Sequence, residues 1–299
     1  MREAERQEHC DLCGTAGARY GGGRYDGEPY DILACAACDL IWTNPLIYRS
    51  NGDGAAPADD YWAEDVYLAN AEPQKARFRK QLRAFLRASG SPDPSSLRVL
   101  EVGSGLGFFL DVCEEAGIAA EGCDIEEPAV RYANRERARS RLGTLDATYA
   151  DESFDAVFAF NLIEHLPHPK EFFSEARRVL KPGGALVLET PVRESLFHTV
   201  ARAGDRVTRG RLNFYGMHPG GHVYKFSKRT FTSLPRGLSF ERLRQRNISS
   251  PFDEIWGKSA IATLEHRVLY RAALPALWAL GHLSGWGNRI FIMLRKPAA

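Results

Sequence analysis

Cys10-Asp-Leu-Cys13 and Cys35-Ala-Ala-Cys38 form two C-x2-C knuckles with 21 residues between them. Four thiolates at that spacing suit a tetrahedral structural Zn²⁺. Two unrelated reduced pairs, or a redox C-x-x-C, are the alternatives. His9 adjoins Cys10, but Cys10, Cys13, Cys35 and Cys38 already close such a site. The intervening Gly- and Tyr-containing stretch suits a small β-ribbon. It carries almost no core of its own, so metal binding would supply its folding free energy.

The second stretch with chemistry in it is Leu97-Arg-Val-Leu-Glu101-Val-Gly103-Ser104-Gly105-Leu-Gly107-Phe-Phe-Leu110. Val99, Leu100 and Val102 make the short apolar run of a strand covered on both faces. Gly103 and Gly105 admit positive φ and a close ligand approach. Leu106, Phe109, Leu110 and Cys113 then recur at helical spacing. A strand–glycine–helix unit is a nucleotide site, and spacing decides which. A dinucleotide fingerprint reserves a third glycine where Phe108 stands. Glu101 would repel a phosphate and attract an ammonium group.

Downstream, Asp124 closes a second strand about 20 residues beyond the first glycines, where a carboxylate accepts from ribose hydroxyls. Ile125 beside it would pack on adenine. The alternative for Asp124 is an acid at a helix N-terminus ahead of Pro128. Cys113 and Cys123 read as buried apolar thiols. Glu164-His165 follows the strand 153–161, and residues 213–224 hold Tyr215, His218, His222 and Tyr224 on a Gly-rich loop, where polar groups are functional candidates. Arginines crowd 131–141; they could meet a phosphorylated substrate, and a solvated helix face is the plainer reading.

The elements that must position these groups alternate strand and helix. Glu72–Ala88 is an amphipathic helix. Lys170–Leu180 is a helix followed by Lys181-Pro182-Gly183-Gly184, where proline ends it and glycine supplies a left-handed cap. Arg242, Arg244 and Arg246 share one face of an edge strand, a protection against aggregation. Residues 46–60 read as linker, and Tyr61-Trp62 and Tyr67 as an aromatic cluster that either closes over a ligand or packs a helix.

In order and at natural spacing, E-x-G-x-G-x-G at 101–107, Asp124, F-D-x-V at 154–157, Asn161 with E-H-L at 164–166, and K-P-G-G at 181–184 resemble the class I S-adenosylmethionine-dependent methyltransferases over about residues 95–190. Cys38-Asp-Leu-Ile-Trp-Thr-Asn44-Pro45 resembles the zinc ribbon that precedes many bacterial members, which carry glycine where Asp39 stands. The resemblance implies an α/β fold: a Rossmann-like seven-stranded methyltransferase sheet with an N-terminal zinc ribbon and a helical insertion. It implies a ribbon at 1–45, linker and helix at 46–94, and a methyltransferase domain at 95–299, with a lid at about 193–225 and an insertion at about 252–287. Cofactor contacts fall to Glu101, Gly103, Ser104, Gly105, Gly107, Asp124, Ile125, Leu145, Asp146 and Asn161. Proton-handling groups fall to His165, Tyr215, His218 and His222; His165 and His222 have structural roles as alternatives. Some relatives hold a divalent metal with E-x-x-E-H, but Asn161 replaces the first acid, which points away from a catalytic metal here. The implied cofactors are S-adenosylmethionine and a structural Zn.

Composition agrees with an ordinary globular protein: 299 residues, 44% hydrophobic, 26% charged, net charge +1. No apolar h-region or transmembrane run is visible, which suggests a cytoplasmic protein. A small-molecule acceptor, a sugar or other secondary metabolite methylated on oxygen before nitrogen or carbon, is the favoured substrate. Against an RNA methyltransferase, residues 1–45 hold four arginines and eight acids. A non-catalytic cofactor-binding scaffold is a third reading. The Ala/Leu/Trp-rich stretch 255–286 could cap the active site, form a dimer face, touch a lipid substrate, or simply pack in the core.

Overall fold

A computed structural model describes residues 2–25, 27–49, 68, 70–90, 93–146, 148–208, 217, 221–234, 238, 240–249 and 275–298. Tyr61, Trp62, Tyr67, Tyr215 and His218 lie outside these residues, as do 252–274 of the insertion.

The chain opens with strands β1 (Arg2–Glu5), β2 (Gly17–Tyr25), β3 (Glu28–Cys35), β4 (Ile41–Asn44) and β5 (Leu46–Arg49). β1 pairs antiparallel with β5, so the start of the expected linker is a strand. Helix α1 (Ala71–Ser89) follows, ending on Gly90 in the left-handed conformation. Then come β6 (Arg98–Val102), α2 (Phe108–Glu115), β7 (Ala119–Asp124), α3 (Glu127–Ala133), β8 (Ser140–Leu142), β9 (Phe154–Phe160), α4 (Pro169–Val179) and β10 (Leu180–Pro191). The last third holds α5 (Leu196–Thr208), β11 (Tyr224–Lys225), α6 (Lys228–Thr232), β12 (Glu241–Ile248), a helix α7 over 275–283 and β13 (Arg289–Arg295).

β12-β13-β10-β9-β6-β7-β8 make one seven-stranded sheet. β6, β7, β8, β9 and β10 run parallel, and β13 is antiparallel to both its neighbours. β6 and β9 read as continuous apolar runs because α1 and α2 cover one face and α4 the other. Phe78 of α1, Phe109 of α2, and Phe158 and Phe160 of β9 pack ring to ring, the Phe109 and Phe158 centroids 4.5 Å apart. This aromatic cluster is the floor on which the glycine turn stands.

The second sheet, β11-β4-β3-β2, carries the cysteines. Its edge strand β11 comes from far downstream: Tyr224 pairs with Trp42 and Lys225 with Ile41. Leu12, Leu33, Leu40, Trp42 and Leu46 join one hydrophobic core with Leu100, Val157 and Leu186 of the main sheet. The ribbon therefore borrows its core from the rest of the chain. Asp39, at the position where glycine is usual, adopts φ 67°, the conformation glycine takes without penalty, and its carboxylate is hydrogen-bonded by Arg193.

Three local expectations change. α4 ends at Val179 with Leu180 extended, and the left-handed glycine, Gly183, sits in a bulge of β10 rather than at the helix end. A bulge between Arg242 and Arg244 sets them opposite Leu294 and Met293, so those two arginines face opposite sides. α3 stops at Ala133, and Arg135, Arg137 and Arg139 turn back onto acids of α2, Asp111 and Glu114.

Candidate functional site

The C-terminal ends of β6, β7 and β9 meet the N-terminus of α2, the crevice where open α/β sheets bind ligands. Gly103, Gly105 and Gly107 all have positive φ, 75°, 48° and 79°. A Cβ on Gly103 would stand 3.1 Å from Leu162 Cδ1, so the loop after β9 lies directly on the turn. Four amides of this turn are already committed. Gly103 N and Ser104 N donate to the Cys123 carbonyl at 2.8 and 3.0 Å, and Gly107 N to the Ser104 carbonyl at 2.9 Å. Gly105 N donates to Asp124 Oδ2 at 2.8 Å. A phosphate cradle needs such amides free. The turn admits close approach of a ligand, with the amides of Gly103, Ser104, Gly105 and Gly107 already taken.

What the crevice offers is acceptors. Glu101 is 2% exposed, and its Oε2 has no hydrogen-bond partner. Burial, then the nearby Asp124 carboxylate, push its pKa well above the usual carboxylate range; Arg77 and Arg139 oppose them. Asn161, at the end of the neighbouring strand, has φ 52° and likewise a buried Oδ1 without a partner. Orphaned acceptors on adjacent strands are what a ligand ammonium would satisfy. Asp124 Oδ1 accepts from Glu126 N at 2.9 Å, so both of its oxygens brace the backbone and each keeps a further lone pair. Burial raises its pKa against these hydrogen bonds.

The remaining cofactor candidates divide. Ile125 is 52% exposed at the crevice edge, free to cover a ring. Leu145 packs in the core, and Asp146 is exposed and accepts from Thr148 N at 2.9 Å. Ser104 is buried, its hydroxyl 2.8 Å from that of Ser140, which fastens the turn to β8. Glu189 of β10, which sequence reasoning passed over, is fully buried and bound by Arg77, Gln81 and Arg289. A lone acid in a hydrophobic strand carried a signal, since a buried carboxylate demands partners.

Across the crevice, the loop 161–166 meets the end of the expected lid. The His165 and His222 ring centroids are 4.7 Å apart, edge to face. His165 Nδ1 lies 3.1 Å from the Gly221 carbonyl, which can only accept. The Glu164 carbonyl receives the amides of both Val223 and Tyr224, at 2.9 and 3.1 Å. The Glu164 side chain is fully buried; Thr190 Oγ1 donates to Oε2 at 2.9 Å, and burial raises its pKa. A separate cavity of about 610 Å³ opens between β2 and α5, where Tyr20 lies beneath Arg193 and Arg202 and bonds His198 at 3.2 Å. Burial and the neighbouring cations hold His198 down at about 2, so it stays neutral.

The cysteine Sγ atoms cluster, with Cys10–Cys38 at 3.5 Å, Cys13–Cys35 at 3.4 Å and Cys13–Cys38 at 3.9 Å. A disulfide is about 2 Å long. Tetrahedral thiolates around zinc, with bonds of about 2.3 Å, stand about 3.8 Å apart. Tyr224 ties this module to the crevice wall, its hydroxyl 2.8 Å from Gln7 Oε1 and 3.0 Å from the Pro167 carbonyl. Asp11 of the first knuckle accepts the α4 amide of Lys170 at 2.6 Å.

Sheet order and crevice define a Rossmann-like methyltransferase fold. A family model described as "Methyltransferase domain" matches residues 73–244, and the chain belongs to that S-adenosylmethionine-dependent family. An uncharacterized methyltransferase of Mycobacterium leprae is 30% identical over 131 residues, 39% of this chain and 48% of that one. The chain spans about half the length, or less, of the first curated relatives it matches. A ubiquinone biosynthesis O-methyltransferase of Xanthomonas oryzae is 27% identical, covering 73% of this chain and 90% of that one. Among solved structures, a candidate methyltransferase from Bacillus halodurans matches with TM-score 0.52 at 18% identity, over 75% of this chain and 100% of that one. A candidate sarcosine dimethylglycine methyltransferase from Galdieria sulphuraria gives 0.51 at 17%, over 74% and 86%. At such identity these two show the fold.

Proposed function

We propose that this protein transfers a methyl group from S-adenosylmethionine to a hydroxyl of a small-molecule acceptor, a sugar or other secondary metabolite. The observation that carries the reading is the crevice itself: committed turn amides, with orphaned acceptors at Glu101 and Asn161. These fit a ligand that bears an ammonium and a sulfonium and lacks phosphate. S-adenosylmethionine supplies a methyl on a sulfonium that departs as a neutral thioether, so the protein has mainly to align and desolvate the reactants. Asp124 would take the ribose, Ile125 would cover the adenine beside Leu145 and Asp146, and Glu101 and Asn161 would face the amino end.

The acceptor would enter where the loop 161–166 meets the lid, and its hydroxyl proton needs a receiver within hydrogen-bond reach. His165 and His222 line that junction, and Tyr215 and His218 belong to the same loop by sequence. The name of the Xanthomonas relative, an O-methyltransferase, supports oxygen as the acceptor atom. Zn²⁺ at Cys10, Cys13, Cys35 and Cys38 would be structural. It would hold the sheet on which β11 pairs, and so the lid end beside His222.

The test is turnover with a panel of hydroxylated acceptors and labelled S-adenosylmethionine. His165→Ala and His222→Ala should each lower kcat by about 10²-fold with cofactor affinity unchanged. Transfer at the wild-type rate in both variants would remove the pair from the reaction.

A further inference from the structure

Glu164, His165 and His222 each bring a ligand atom to one place, all within 4.8 Å of one another. We infer that these residues form a second metal site, distinct from the cysteine cluster, for a divalent first-row transition ion. Glu164 is fully buried, and with Oε2 engaged by Thr190 its Oε1 has no hydrogen-bond partner. A buried carboxylate oxygen left bare is costly unless something cationic meets it. His165 supplies the next element. The Gly221 carbonyl can only accept, so Nδ1 carries the proton, and the lone pair resides on Nε2. A backbone carbonyl fixing the tautomer of one ring nitrogen is the usual orientation of a metal-ligating histidine. His222 then stands edge to face with His165, held in place because the next two amides both bond the Glu164 carbonyl.

Two imidazoles and one carboxylate suit Mn²⁺, Fe²⁺, Co²⁺ or Zn²⁺ better than Ca²⁺ or Mg²⁺. Three protein ligands leave coordination positions open, and a hydroxylated acceptor can occupy them. The placement deepens the proposed function and rests on it for the acceptor alone: His165 and His222 would act as ligands, leaving the proton to Tyr215 or His218. Asn161 made this region look metal-free in the sequence, because the third ligand arrives 57 residues after His165.

Mn²⁺ is the probe, since thiolates bind it poorly and the cysteine cluster can stay zinc-loaded. Titration of the zinc-loaded full-length protein, followed by the EPR signal of free Mn²⁺, should show one equivalent bound per chain. His222→Ala and His165→Ala should each weaken binding at least tenfold, with circular dichroism and S-adenosylhomocysteine affinity confirming the fold. A wild-type protein that leaves the free signal unchanged, or folded variants that bind like wild type, would overturn the site. Mn²⁺ bound without methyl transfer to any acceptor would instead count against the proposed function and leave the site standing.

Discussion

The amide of Gly105 donates to Oδ2 of Asp124 at 2.8 Å, so the carboxylate expected to face a ribose also fastens the glycine turn to the end of β7. The turn and Asp124 are thus one unit. Changing either member moves the other, and Asp124→Asn, which keeps an acceptor oxygen, should disturb the turn less than Asp124→Ala.

Glu101 gives a pH signature. Its folded pKa is raised above the value of about 4.3 expected for an unfolded chain, so the folded state binds the extra proton and stability falls as pH rises from there toward the folded pKa. Glu101→Gln should abolish that part of the fall in thermal unfolding as pH rises above the ordinary carboxylate range, while weakening S-adenosylmethionine binding about tenfold. A variant with the wild-type pH profile would contradict the buried, unpartnered carboxylate.

Lys225 predicts the opposite slope. Burial holds it down from 10.5 to about 8. Between these values the unfolded chain keeps a proton that the folded one has released, so stability rises with pH there, and below about pH 8 the full penalty is present. Lys225→Met should raise the unfolding temperature at pH 7 and lose most of that gain by pH 10. Equal gains at both pH values would show that the charge is not the cause.

Much of the main sheet was legible in the sequence, because its strands are buried on both faces and its turns need glycine. The helix end at Val179 was not: Lys181-Pro-Gly-Gly fits a cap and a bulge equally well, and only pairing with β9 decides. The meeting of His222 with Glu164 depends on backbone hydrogen bonds across a long loop, and β11 is a pair of residues, too short for any periodicity. That Glu101 and Asp124 close neighbouring parallel strands could be read from position, whereas the brace from Asp124 to Gly105 shows only in the folded chain.

The cysteine cluster carries a further prediction. Cys35→Ser should lower bound zinc by one equivalent per chain and lower the unfolding temperature, since the metal would supply folding energy to strands that otherwise lean on the main core. Turnover should fall as well, because β11 pairs on the same sheet. Metal analysis after gel filtration reads the first effect, and full retention of zinc would contradict the four-cysteine site.

The most direct test of the account is calorimetric titration of the full-length protein with S-adenosylmethionine, with NAD as the control. One cofactor per chain should bind, NAD should give no heat, and Asp124→Ala should weaken the affinity by about a hundredfold, the loss of hydrogen bonds to a charged acceptor. Absence of S-adenosylmethionine binding, or an Asp124→Ala variant that binds it as tightly as the wild type, would contradict the central claim.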